Sequence, residues 1–138
     1  MRVYLDSSAL IKRALAEAES DALDTTLVGY VADDAVLVSS TLAWIEVSRA
    51  LKSKLIHTDR SDEEINDLID VALSGVAERS ITGDVASLAR RLHPPALRSL
   101  DALHLATAVL LDVDIMVAYD DRLIDAARMN GLRVGAPQ

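Results

Sequence analysis

The sequence predicts an α/β fold, a mostly parallel sheet flanked by helices on both faces. Short apolar runs at Val3–Leu5, Ala35–Val38 and Ile115–Tyr119 have the length of buried strands. Between them, apolar residues recur at helical spacing, and this alternation of strand and helix is the pattern of a parallel sheet covered on both sides. The length of 138 residues suits one domain spanning 1–138, with no internal repeat, low-complexity tract or linker to divide it.

Val3–Leu5 ends at Asp6, after which Ala9, Leu10, Ile11, Ala14 and Leu15 fall at helical spacing, so strand, tight turn and helix are expected. A second helix follows the acidic stretch Glu17–Asp21. Ala35–Val38 lies between Asp34 and the Ser39-Ser40-Thr41 cluster and reads as a strand. Thr41 to Lys54 holds good helix formers and neither Gly nor Pro. In Ser61-Asp62-Glu63-Glu64, Ser61 can cap the first turn while Glu64 reaches back; Ile65, Leu68, Ile69, Ala72 and Leu73 continue the apolar face to a stop near Gly75. Val85, Leu88, Ala89 and Leu92 define a helix from Asp84 to Leu92, and Pro94-Pro95 forbid its continuation. Ser99 can cap a helix running to about Asp112. Ile115–Tyr119 is the next strand, Asp120-Asp121 open a helix that Asn130-Gly131 close, and Leu132–Val134 is the expected last strand.

Composition narrows the function. Apolar residues at 51% and charged residues at 26% exclude disorder and fibrous repeats. With no Phe, one Trp and three Tyr, the core is aliphatic and an aromatic platform for bases is disfavoured. The absence of Cys removes disulfides, thiolate metal sites and a Cys nucleophile. No apolar run approaches the ~20 residues that span a bilayer, and the N-terminal run is too short for a signal peptide, so a soluble cytoplasmic protein without a membrane role is expected. The formal charge of −8 weighs against non-specific attraction to a polyanion. Bound divalent cations or a local basic strip can reverse that potential at one site.

The placement of the carboxylates therefore matters most. In open α/β sheets, ligands gather beyond the carboxyl ends of the strands, where Asp6 and Asp120 both sit. Each can also simply cap the helix behind it. Leu100–Leu111 is apolar nearly all round, and Asp101, His104 and Thr107 form one polar stripe at successive i+3 steps. A buried carboxylate without a partner becomes protonated, pairs with a cation or binds metal. Arg98 and His104 are ordinary partners within a turn, and a first-turn acid beside a hydrogen-bonded core His is the structural alternative. Glu46 has apolar flanks in Leu42-Ala43-Trp44-Ile45-Glu46-Val47, with Arg49 as an ion-pair partner at i+3; structural and functional roles stand level for it. Gathered together, these four acids would not all ionise near neutral pH unless a divalent cation joined them. An all-oxygen site of this kind suits Mg²⁺ or Mn²⁺ and chemistry on phosphates.

Four blocks then stand in order: V-Y-L-D-S-S-A-L-I-K at the start, W-I-E-V mid-chain, L-R-S-L-D-A-L-H-L-A-T-A, and V-A-Y-D-D-R-L-I-D-A-A. Together they closely resemble PIN-domain ribonucleases, in particular the VapC toxins of bacterial toxin–antitoxin pairs, over essentially the whole chain. The resemblance implies a PIN-like three-layer α/β/α fold and four catalytic acids, Asp6, Glu46, Asp101 and Asp120. Asp6 and Asp101 are implied as the direct metal ligands, with Glu46 and Asp120 acting directly or through water. Asp120 matches the family's fourth acid better than Asp121, which is expected to support the helix N-terminus. Ser8 matches a small hydroxyl residue that holds a water or a phosphate oxygen. The resemblance further implies cleavage of RNA by water to a 5′-phosphate and a 3′-hydroxyl, a homodimer, and a VapB-type antitoxin whose C-terminal segment occupies the groove over the acids.

Of the remaining polar residues, His57 and His93 fall in expected loops, and His104 reads as a core His bonded to a carboxylate or backbone neighbour. No G-x-S-x-G elbow supports a Ser-His-Asp hydrolase. Trp44 is expected to anchor packing. Lys12 and Arg13, with Arg49, Lys52 and Lys54, either hold RNA phosphate beside the acids or form a solvated cationic face. Two rival functions remain open: a receiver-like phosphoacceptor domain, disfavoured because the Asp pair comes late and no Lys follows the last strand, and a PIN-type binding module without catalysis, which the presence of all four acids disfavours.

Overall fold

Strand β1 (Arg2–Leu5) stands at the centre of a five-stranded sheet in a computed structural model that describes residues 1–138. On one side lie β2 (Val36–Ser40) and, at the edge, β3 (Val76–Arg79); on the other lie β4 (Ile115–Val117) and the edge strand β5 (Val134–Gly135). Every pairing is parallel, with Val3 opposite both Leu37 and Ile115. The connections carry helices α1 (Ser7–Ala14), α2 (Ser20–Ala32), α3 (Thr41–Leu55), α4 (Asp62–Leu73), α5 (Gly83–Ala89), α6 (Ser99–Leu110) and α7 (Asp121–Met129). This is the expected three-layer α/β/α arrangement. A receiver-like order would place β1 between β2 and β3, whereas here β3 flanks β2.

Successive residues of β1 point to opposite faces. Val3 and Leu5 enter one core with Leu10, Leu23, Val47, Leu51 and Ile69 from the first four helices. Tyr4 enters the other with Leu105, Met116, Leu123 and Ala127, mainly from α6 and α7. Val3, Tyr4 and Leu5 are all completely buried, which explains why they read as a continuous apolar run.

The chain moves from β1 outward to β3, then returns to place β4 on the opposite side of β1. The crossover direction therefore reverses between β1 and β4, and their following loops diverge to open a crevice. Asp6 and Asp120 leave these two strands, and both are N-caps: Asp6 accepts from the Ala9 amide and Asp120 from the Leu123 amide. The Ser61–Glu64 capping box forms as expected.

Several boundaries differ from the sequence expectation. β2 extends through Ser39 and Ser40, because the Ser39 hydroxyl satisfies itself on the Leu5 carbonyl at 2.6 Å and needs no water. Strand β3 has no apolar run to announce it; Val76 and Ala77 are only partly buried and Glu78 and Arg79 are exposed at the sheet edge. The last strand is Val134–Gly135, beginning two residues later than expected and ending one later. Helix α5 ends at Ala89, short of Leu92, and α6 is flanked by Arg98 without a side-chain cap, since Ser99 is already its first residue.

Candidate active site

Asp6 sits at the end of β1 with only 4% of its surface exposed. Its Oδ1 accepts the Ala9 amide at 3.0 Å and the Ser8 hydroxyl at 2.7 Å. Burial pushes the carboxyl above its usual range; the two hydrogen bonds and nearby His104 oppose the shift, and Asp101 adds to it. The Ser8 hydroxyl also accepts the Tyr119 amide at 3.1 Å, tying the turn after β1 to the segment after β4. Ser8 is thus the strut that holds the two sides of the crevice in register.

Glu46 projects from α3 toward His104 on α6. His104 Nε2 lies 2.5 Å from Glu46 Oε1, and the Ser7 hydroxyl donates to the same oxygen at 2.7 Å. On the other side of the ring, Nδ1 lies 2.6 Å from the Tyr4 hydroxyl. That hydroxyl accepts the Ser40 amide at 3.3 Å, so its own proton is free for Nδ1. Hydrogen-bond accounting then places the ring proton on Nε2, donated to Glu46. Burial alone would raise the Glu46 carboxyl, but the hydrogen bond from His104, together with that from Ser7, outweighs it and holds the group below the usual range. Both contacts use Oε1, which leaves Oε2 for other work.

Asp101, in the first turn of α6, has a buried Oδ2 with no hydrogen-bond partner. Arg98 Nε stands 3.5 Å from this oxygen, close enough for charge but not for a hydrogen bond, and an Arg98 terminal nitrogen is 3.8 Å from Asp120 Oδ2. Arg98 is 67% exposed, so water screens these two ion pairs. Burial raises the Asp101 carboxyl, Asp120 raises it further, and Glu46 adds a smaller push, against Arg98 and His104. The acids thus perturb one another across four segments: Asp6 with Asp101, and Asp101 with Asp120 and Glu46. A cleft of about 250 Å³ opens along Glu46, Arg98, Ser99, Leu100 and Asp101. As the side chains stand, no three His, Asp or Glu residues surround a common point. Asp121 is exposed in the first turn of α7, whereas Asp120 faces Arg98 and Asp101.

The candidate cations Lys12 and Arg13 have other partners. Lys12 is bound by Glu17 at 2.7 Å and Glu19 at 3.0 Å and lies over the Tyr119 ring. Arg13 donates to the Ala72 and Ser74 carbonyls, each at 2.8 Å, clipping α1 to the end of α4. Neither is a free phosphate hook, because the hydrogen bonds that a phosphate would need are already made within the fold. The partner of Glu46 is His104 and not Arg49. Trp44 packs at the margin of the first core, and His57 and His93 are exposed. Sequence reading missed Tyr4 and Ser7 as members of the site. Tyr4 carried a signal in retrospect, as a buried strand residue whose hydroxyl had to find a partner.

Comparison with known proteins fits this geometry. Residues 3–129 match the PIN domain family. The chain belongs to the PIN-domain family. Within it, the chain belongs with the VapC ribonucleases: it is 42% identical to Ribonuclease VapC46 of Mycobacterium tuberculosis (strain ATCC 25618 / H37Rv), over 98% of this chain and 97% of that protein. Ribonuclease VapC35 of M. tuberculosis (strain CDC 1551 / Oshkosh) is 36% identical over 98% of this chain and 96% of its own length. Among solved structures, VapBC2 from Rickettsia felis bound to a DNA fragment from their promoter superposes with a TM-score of 0.78 at 13% identity, covering 100% of both chains. M. tuberculosis VapC20, a sarcin-ricin loop cleaving toxin, superposes with a TM-score of 0.70 at 15% identity, over 90% of this chain and 94% of that one. These two likenesses concern the PIN fold. No helix is long and apolar enough to cross a membrane.

Proposed function

We propose that this PIN-domain protein is a divalent-metal-dependent endoribonuclease and the toxin of a VapBC-type pair. The observation that carries the metal is the buried, hydrogen-bond-free Asp101 Oδ2 within reach of the charge of Asp120, beside the buried carboxyl of Asp6. Carboxylates in such a setting are stabilised by a cation, and an oxygen-only donor set suits Mg²⁺ or Mn²⁺. Asp6, Asp101 and Asp120 would hold the ion, with side-chain movement to close around it. When bound, it would supply Lewis acidity and a more acidic water.

The chain's own residues supply the rest. Glu46, with Oε1 fixed by His104 and Ser7, presents Oε2 to orient a water and accept its proton. Attack by that water on a phosphodiester leaves a 5′-phosphate and a 3′-hydroxyl, with the 2′-hydroxyl uninvolved. Ser8 keeps Asp6 oriented and the crevice in register. Arg98 at the mouth neutralises part of the acidic field that an RNA phosphate must cross. The named relatives are ribonucleases, and one fold neighbour is VapBC2, which supports a VapB-type antitoxin as partner. A homodimer in a cytoplasmic setting completes this reading.

Incubating purified protein with RNA, with Mg²⁺ or with EDTA, and mapping new 5′ ends tests it. Cleavage is expected only with metal, and both Asp101→Asn and Glu46→Gln should abolish it. Metal-independent cleavage, or full activity in both variants, would overturn the assignment; stable RNA binding without cleavage would favour the non-catalytic module instead.

A further inference from the structure

Sixteen consecutive residues between Asp84 and Asp101 contain three Arg and one His and no carboxylate, in a chain whose formal charge is −8. This stretch is most of α5, the connection to α6 and the first two residues of α6, and it delivers the chain directly into the acidic site. The connection is pinned down. Leu92 and Leu97 pack against the second core, and the Asn130 side chain donates to the His93 carbonyl at 2.8 Å. Its Arg side chains remain exposed, and neither Arg90 nor Arg91 forms an ion pair with any carboxylate.

A cleft of about 410 Å³ runs along this connection, lined among others by Arg90, Arg91, His93 and Ser99. Ser99 also lines the smaller cleft that holds Glu46, Arg98 and Asp101. Ser99 thus borders both clefts, the basic one along Arg90 and Arg91 and the acidic one along Glu46 and Asp101. Neither contains Tyr or Trp, so they suit a phosphodiester backbone better than stacked bases.

We propose that Arg90 and Arg91 form the anchoring subsite for RNA phosphates flanking the bond that is cut, with the strand entering the acidic centre past Ser99 and Arg98. This rests on the ribonuclease reading above. A net charge of −8 opposes RNA as a whole, so a local basic strip beside the acids can set the direction of approach as well as affinity. Arg offers paired donors matched to a phosphate, and two such residues in succession hold the backbone without reading sequence.

The test measures binding of a fluorescein-labelled single-stranded RNA decamer to protein carrying Asp101→Asn, which prevents cleavage. Adding Arg90→Gln and Arg91→Gln should weaken binding about tenfold near 0.1 M salt and flatten the log–log salt dependence by about 1.4, or about 0.7 for each phosphate left without its Arg. A charge-matched control, Lys54→Gln in the last turn of α3 with Arg60→Gln in the loop that follows it, should change both by much less. Equal losses in the two double variants, or none in the Arg pair, would overturn the subsite. Polyglutamate displacing the decamer as well as unlabelled RNA does would instead assign the strip to an acidic protein segment. If the Asp101→Asn parent binds no RNA and the unmutated protein cuts none, the ribonuclease reading itself fails, and the subsite with it.

Discussion

His104 and Glu46 meet at 2.5 Å, with the imidazole 2% exposed and its far nitrogen held by Tyr4 at 2.6 Å. A buried hydrogen-bond chain thus runs from the Ser40 amide at the start of α3, through Tyr4 on β1 and His104 on α6, and back to Glu46 on α3. It fixes one oxygen of a carboxylate and so aims the other.

Tyr4→Phe should expose the worth of that chain. The ring still packs, but His104 Nδ1 and the Ser40 amide lose a buried partner, at a cost of about 1–3 kcal/mol. Urea denaturation should read that loss. Steady-state cleavage should show kcat falling by more than KM changes, because Glu46 is misaimed rather than removed. A stability loss with unaltered kcat would show that the chain only holds the fold together.

Asp6→Asn should abolish cleavage and yet raise the melting temperature in EDTA at pH 7. Burial raises the Asp6 carboxyl in the folded state, so it costs stability that grows as pH rises past the unfolded value and is complete above the folded one. The penalty is absent below the unfolded value, about 3.9, and the two melting curves should converge as pH falls toward it. Asn retains the oxygen that caps α1. Mg²⁺ should raise the melting temperature of the unmutated protein and leave the variant unmoved. A variant less stable than its parent at pH 7 in EDTA would contradict this account.

Asp120→Asn should cost at least tenfold more activity than Asp121→Asn. Asp120 acts electrostatically on Asp101, while its neighbour faces solvent at the start of α7. Comparable losses in a single-turnover assay would mean that the exposed neighbour reaches the centre when RNA is bound.

Arg13→Met should lower stability by about 1–3 kcal/mol, because two carbonyls at the end of α4 lose a charged donor while the aliphatic stem still packs. The KM for RNA should stay within twofold. A raised KM with unchanged stability would return Arg13 to the substrate.

Much of this was legible because it depends on local pattern. The strand run Val3–Leu5, the capping box at Ser61 and the polar stripe Asp101–His104 each follow from residues close in sequence. The four acids were legible as a set through the family resemblance, since no local rule brings Glu46 to His104. What escaped detection depends on distant partners. Strand β3 exists because β2 offers an edge to Val76–Arg79, and its own residues carry no apolar run. Lys12 and Arg13 looked available because Glu17, Glu19 and the end of α4 approach them only after folding. Ser7 shows no pattern at all, as its hydroxyl finds Glu46 across 39 positions.

The clasp between Ser8 and Tyr119 spans 111 positions, joining the first turn of the chain to its last quarter. Asp120 belongs to that last quarter and Asp101 lies just before it, so a chain still being synthesised lacks the full set of four acids until nearly all of it has emerged from the ribosome.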